Sequence, residues 1–186
     1  MGAENRTPLP FYFPDYLYSF IINNHIMISE YTKSDSSKIL HVINDASLKY
    51  KGVIPDSCWH EPYMSEQELI DEFSDGVRMF GYHHNNKLIG VIGIQEVKDV
   101  ILIRHAYTLT YYQGKGTGSA LLEFLLKKKQ NSRFLVGTWR NATWAIRFYE
   151  KFGFILHSKD QSTLLLKKYW KISSNQIKNS VVLERF

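Results

Sequence analysis

Leu109-Thr110-Tyr111-Tyr112-Gln113-Gly114-Lys115-Gly116-Thr117-Gly118-Ser119 is the stretch on which the fold of this 186-residue chain turns. It joins an apolar, β-branched run to a leucine-rich run at helical spacing, so a strand feeds a helix through three glycines spaced by two. Glycine tolerates positive φ and lets a ligand come close to the backbone. The N–H groups of such a turn, together with the unpaired amides of the helix start, form a concave anion site. A pyrophosphate is its natural occupant. The Walker pattern Gly-x-x-x-x-Gly-Lys-Ser/Thr does not fit, because Lys115 stands in the wrong place. The dinucleotide pattern Gly-x-Gly-x-x-Gly fails too, since the third glycine comes one residue early. The plain alternative is a turn that needs only flexibility.

Upstream of the turn, residues 77–83, 87–97 and 100–110 are β-branched or aromatic runs separated by Asn85-Asn86 and Lys98-Asp99. They read as an antiparallel meander with two-residue turns. Ser65-Glu66-Gln67-Glu68 is a capping box opening a helix with Leu69, Ile70 and Phe73. Before it, Ser34 or Asp35 caps a helix carrying Ile39, Leu40, Ile43 and Leu48, and residues 25–31 alternate as a first strand. Downstream, residues 119–129 read as a helix that ends in three lysines and residues 134–139 as a strand. Asn141 is read as the cap of a helix that buries Ala145, Phe148, Tyr149 and Phe152 and stops at Gly153. Residues 154–158 and 163–169 read as two closing strands. The pattern is α+β, a mixed α/β domain over residues 26–170 with a tail at 171–186. Residues 1–25, aromatic and proline-spaced without a period, form an N-terminal extension that either packs on the domain or a partner subunit or stays mobile.

The chain is long enough for one full core and too aromatic for disorder, with 15% Phe, Trp and Tyr. A net charge of +5 suits an anionic ligand but is too modest to imply nucleic acid as a partner. Cys58 is the single cysteine, which rules out an internal disulfide and a Cys-rich zinc site. Cys58 and His60 lie two apart on an extended segment, but nothing else supports a Cys-His enzyme. His83-His84 has no third ligand at metal spacing, so no metal is expected. No apolar run approaches the roughly 18 residues of a membrane span. The apolar stretch at 9–27 is broken by Pro10, Pro14 and Asp15 and makes a poor signal peptide. A cytoplasmic protein with no membrane partner is expected.

Gln-x-x-Gly-x-Gly at 113–118 and Asn-x-x-x-Ala-x-x-Phe-Tyr-x-x-x-Gly-Phe at 141–154 together resemble the GNAT superfamily of N-acetyltransferases, and the order of elements over 26–169 is similar too. The resemblance implies a mixed, mostly antiparallel sheet flanked by helices and splayed between its fourth and fifth strands, with acetyl-CoA in the gap. It implies that the amides of Gln113, Gly114, Lys115, Gly116, Thr117 and Gly118 hold the pyrophosphate, with Ser119 at the helix start and the Lys115 side chain at the rim. Leu109, at the end of the fourth strand, is expected to give a backbone N–H to the thioester carbonyl, and Asn141 to contact the cofactor. Tyr149 is the expected acid that protonates the departing thiolate. The base is left open between Glu96, His105 and a relay of waters.

The segments 50–55 and 59–64 look like an acceptor-side loop. The implied reaction is direct acetyl transfer to a small-molecule primary amine in a ternary complex, with a homodimer allowed. Competing readings are a non-catalytic acyl-CoA sensor, or an acetyltransferase acting on a protein terminus or charged tRNA.

Overall fold

The computed structural model describes residues 26–186, so the expectations for residues 1–25 lie outside the described residues. Four strands form the antiparallel meander: β1 (Ile26–Tyr31), β2 (Arg78–His84), β3 (Lys87–Val97) and β4 (Val100–Thr108). Asn85 and Asn86, at φ 50° and 59°, make the tight β2–β3 turn, which requires two left-handed residues. Between β1 and β2 lie α1 (Ser36–Ser47) and α2 (Glu66–Ser74), the latter closed by the Ser65–Glu68 capping box. After β4 come α3 (Thr117–Lys128), β5 (Phe134–Trp139), α4 (Thr143–Glu150), β6 (Ile155–Leu156), α5 (Lys159–Tyr169), α6 (Ser174–Asn179) and β7 (Ser180–Arg185). The sheet order is β1-β2-β3-β4-β5-β7-β6.

The β4–β5 junction shapes everything that follows. These strands are parallel and pair only at Ile101–Phe134, Leu102–Leu135 and Ile103–Val136. Beyond these pairs both strands continue unpaired with each other, β4 to Thr108 and β5 to Trp139, so the sheet opens as a wedge. At the paired base, alternate residues enter two separate cores. Ile101, Ile103, Phe134 and Val136 join the core that includes α1 and α3, while Val100, Leu102 and Leu135 pack with Leu165, Leu166 and Tyr169 of α5. Burial on both faces anchors the wedge at its closed end.

Three expectations are corrected. Residues 163–169 are not a strand: they belong to α5, whose N-cap Ser158 accepts a hydrogen bond from the Gln161 amide. The run Thr163-Leu164-Leu165-Leu166 looks strand-like in isolation, but Leu165, Leu166 and Tyr169 bury one helical stripe and leave Leu164 exposed. Residues 171–186 are not a tail either, because they supply α6 and β7, and β7 inserts between β5 and β6. The alternation of Val181, Val182 and Leu183 buries both faces of that strand. Asn141 does not cap α4, whose N-cap is Ala142; the Asn141 Nδ2 donates to the Val53 carbonyl at 3.4 Å.

Candidate active site

The glycine turn sits at the mouth of the wedge. Gly114 and Gly116 take φ of +74° and +90°, a region where a side chain is strained, and Gly116 is the N-cap of α3. Ala120 is the first residue of α3 to close a helical bond, to the Gly116 carbonyl at 2.9 Å. The amides of Thr117, Gly118 and Ser119 therefore have no partner within the helix, and the positive end of its dipole lies beside them. Two polar ties hold the turn. Gln113 Nε2 donates to the Thr108 carbonyl at 3.2 Å, and the Thr110 amide donates to the Asp45 carboxylate of α1 at 2.6 Å.

A cavity of about 560 Å³ runs from this turn into the wedge. Gln113, Gly114, Gly116, Thr117, Gly118 and Ser119 line one part of it, and Phe148, Tyr149 and Phe152 of the α4 region line another. The exposed strand ends contribute Ala106, Tyr107 and Thr108 from β4 and Gly137 and Thr138 from β5. The Leu109 amide donates to the Ile89 carbonyl at 2.9 Å, so the expectation that it serves a thioester is corrected: this N–H is turned toward β3. Alternation along the ladder turns the neighbouring Thr108 amide the other way, toward the open gap.

The wall facing the turn is aromatic; it takes Tyr50, Trp59 and Tyr63 from the segments expected to be an acceptor-side loop, and adds Tyr107 and Trp144, which the sequence reading did not identify as part of it. Tyr50, from the segment after α1, packs its ring against Trp144 at 5.4 Å, Tyr63 at 6.2 Å and Tyr107 at 6.3 Å. Tyr63 is hydrogen-bonded by Trp139 Nε1 at 3.2 Å and lies against Trp59 at 5.5 Å. The two edges of the wedge are thus bridged by one loop, since Tyr107 and Trp139 belong to β4 and β5. Burial pushes the Tyr50, Tyr107 and Tyr149 phenols up, and repulsion from neighbouring phenols adds to it. All three are held in the protonated form.

His105 is the residue where β4 bulges. Its φ is +49°, and the β3–β4 register shifts opposite it, between Val91 and Gly93. Positive φ is uncommon outside glycine, and at this bulge His105 lines the cavity while its ring reaches back to α2. Its Nε2 lies 3.1 Å from the Glu72 Oε2 of α2. Burial pushes the Glu72 carboxyl up, but His105 and Arg104 outweigh it and the net shift is downward, so Glu72 is a carboxylate. Arg104 Nη2 donates to its other oxygen, and Arg104 Nη1 donates to Gln95 Oε1 at 2.7 Å. Glu96 is away from the cavity, exposed and paired with Lys129 at 2.7 Å.

Of the residues expected at the site, Gln113, Gly114, Gly116, Thr117, Gly118, Ser119 and Tyr149 meet in one cavity. Leu109, Lys115 and Asn141 do not line it. Lys115 places its Nζ 4.0 Å over the Tyr111 ring at the outer side of the turn. Trp144 and Tyr149 do belong to the Asn141–Phe154 motif, but only the fold separates the wall position from the others. Among the described residues no group of three or more His, Cys, Asp or Glu is arranged for a metal ion, and no helix is long and apolar enough to cross a membrane.

No curated protein sequence matches the chain. Solved structures with the same fold include PaiA N-acetyltransferase of Thermoplasma acidophilum in complex with coenzyme A, at 20% identity, TM-score 0.64, and coverage of 86% of this chain and 98% of that one. A GNAT-family acetyltransferase of Staphylococcus aureus matches at 17% identity and TM-score 0.65, with the same coverage of 86% and 98%. The ribosomal-protein-S18-alanine N-acetyltransferase of Escherichia coli matches at 18% identity and TM-score 0.62, covering 86% and 92%. The family model described as an acetyltransferase (GNAT) domain matches residues 42–164, most of the chain. With the wedge, the glycine turn and that match together, the chain belongs to the GNAT acetyltransferase family.

Proposed function

We propose that this protein moves the acetyl group of acetyl-CoA directly onto a primary amine of a small molecule while both substrates are bound. One observation carries the reading: the glycine turn, Tyr149 and His105 all line one continuous cavity. Backbone N–H groups from Gly114 to Ser119 and the N-terminal dipole of α3 suit a diphosphate. The thioester then lies along the open edge of β4, where the Thr108 amide donates to its carbonyl oxygen. A donor already aimed at the developing oxyanion lowers the barrier by on the order of 3 kcal/mol.

The amine nitrogen attacks the carbonyl carbon, an N–C bond forms, and the C–S bond breaks. His105 accepts the proton lost by the amine, and Glu72, 3.1 Å from its Nε2, holds the imidazole in one orientation. Tyr149 gives a proton to the departing thiolate and recovers one from solvent, so the products are an amide and free coenzyme A. Burial holds this phenol protonated, which is the form an acid needs, and the same burial raises the proton affinity of the thiolate beside it.

Tyr149→Phe tests the assignment. Coenzyme A affinity should stay within about twofold, while thiol release in the presence of amine falls at least about tenfold. Unchanged release would remove Tyr149 from the mechanism.

A further inference from the structure

Resting on the acetyl-transfer reading, we infer that the aromatic end of the cavity is the acceptor subsite and that it takes a monoamine with an apolar or aromatic body, not a polyamine. Two observations lead there. The first is the wall itself: Tyr50, Tyr107 and Trp144 line the cavity, and Tyr63 backs them with ring contacts to Tyr50 and Tyr107. Flat rings held by one another offer stacking area to an apolar body; Trp144 already carries the Lys49 ammonium 4.9 Å from its centroid, so the Tyr50 and Tyr107 rings are the ones that attract the single ammonium group of a substrate.

The second observation is charge. Among the described residues that line the cavity none is Asp or Glu, while Lys49 and Lys151 are there. A chain carrying several ammonium groups needs a carboxylate for each one it buries, and lysines at the rim repel it. Three acids of the loop and of α2 are engaged elsewhere. Glu61 is paired with Lys51 at 2.5 Å and Glu68 closes the Ser65 capping box. Glu72 is fixed by Arg104 and His105. Its position behind His105 serves the one nitrogen that reacts and leaves nothing for a second cation. Beside Lys49 and Lys151 an entering ammonium loses its proton more readily than in water, which is what attack requires.

The test compares 2-phenylethylamine with spermidine on the full chain, reading both binding to the coenzyme A-loaded protein by calorimetry and thiol release from acetyl-CoA. Saturable binding of 2-phenylethylamine, with kcat/KM at least about tenfold above that for spermidine, is the expected result. Tyr50→Leu should weaken 2-phenylethylamine binding by about tenfold with coenzyme A affinity held, and Tyr50→Phe should keep it, because the ring and not the hydroxyl makes the contact. Spermidine turning over faster than 2-phenylethylamine would overturn the acceptor class and leave acetyl transfer standing. Binding of 2-phenylethylamine without thiol release from any amine would uphold the subsite and remove the transfer reading. Failure of 2-phenylethylamine to bind or react would overturn the subsite.

Discussion

The Cβ that Gly90 lacks would fall 2.6 Å from Thr117 Cγ2 and 3.2 Å from Leu121 Cδ1, so this one absent carbon sets how closely the start of α3 approaches β3. Gly90→Ala should cost about 1–3 kcal/mol by overpacking, read from the denaturant midpoint. Adding Thr117→Ser removes the clashing methyl and should restore most of the loss. Equal destabilisation in both variants would show that the contact is not what positions the helix. At this scale the sequence reveals residues whose type is dictated by the backbone. Gly114 and Gly116 are such residues, because their positive φ demands glycine. It conceals residues whose role depends on which way a peptide group points. The Leu109 amide faces β3, a fact set by ladder phase and not by side-chain identity. His105 is visible as a strand histidine, but the bulge that turns it toward Glu72 comes from a register shift between two strands.

Among the elements, the meander, α1 to α4 and β5 follow from periodicity, caps and turn residues in the sequence, except that the cap of α4 is Ala142 and not Asn141. The C-terminal elements do not, because short apolar runs carry both periods. Thr163-Leu164-Leu165-Leu166 satisfies a strand as well as a helix, and only packing of α5 on β7 and β5 decides. β7 is held in turn by a charged clasp: Glu184 accepts from Arg133 Nε, and His157 Nε2 lies 2.6 Å from its other oxygen. Glu184 is 6% exposed. Burial pushes its carboxyl up, but Arg133 and His157 outweigh this and bring it below the ordinary carboxylate range. A lowered folded-state value means that the clasp stabilises fully above the unfolded value of about 4.3 and loses that contribution as pH falls through the lowered one. Glu184→Gln should therefore cost about 2 kcal/mol at pH 7, with the gap to the wild type closing as the pH drops below about 4. A gap that stays constant with pH would contradict a charged clasp.

At the scale of the whole molecule, the site is a product of topology. Tyr50 and Tyr63 of one loop, Tyr107 and Trp144 come from three separate parts of the chain, and they meet because that loop after α1 spans the gap where β4 and β5 part. The segments that carry Tyr50 and Tyr63 are legible as a loop on the acceptor side, but no local pattern joins Tyr107 and Trp144 to them, whereas the glycine turn is contiguous and legible in full. The +5 charge of the chain adds a weak, salt-sensitive attraction for an anionic cosubstrate. The account depends on the turn holding a diphosphate at the mouth of the wedge. Titration calorimetry of the purified chain with coenzyme A tests this most directly. Saturable binding of one coenzyme A per chain, weakening as salt is raised, is the predicted result. The absence of saturable heat with both coenzyme A and acetyl-CoA would contradict it.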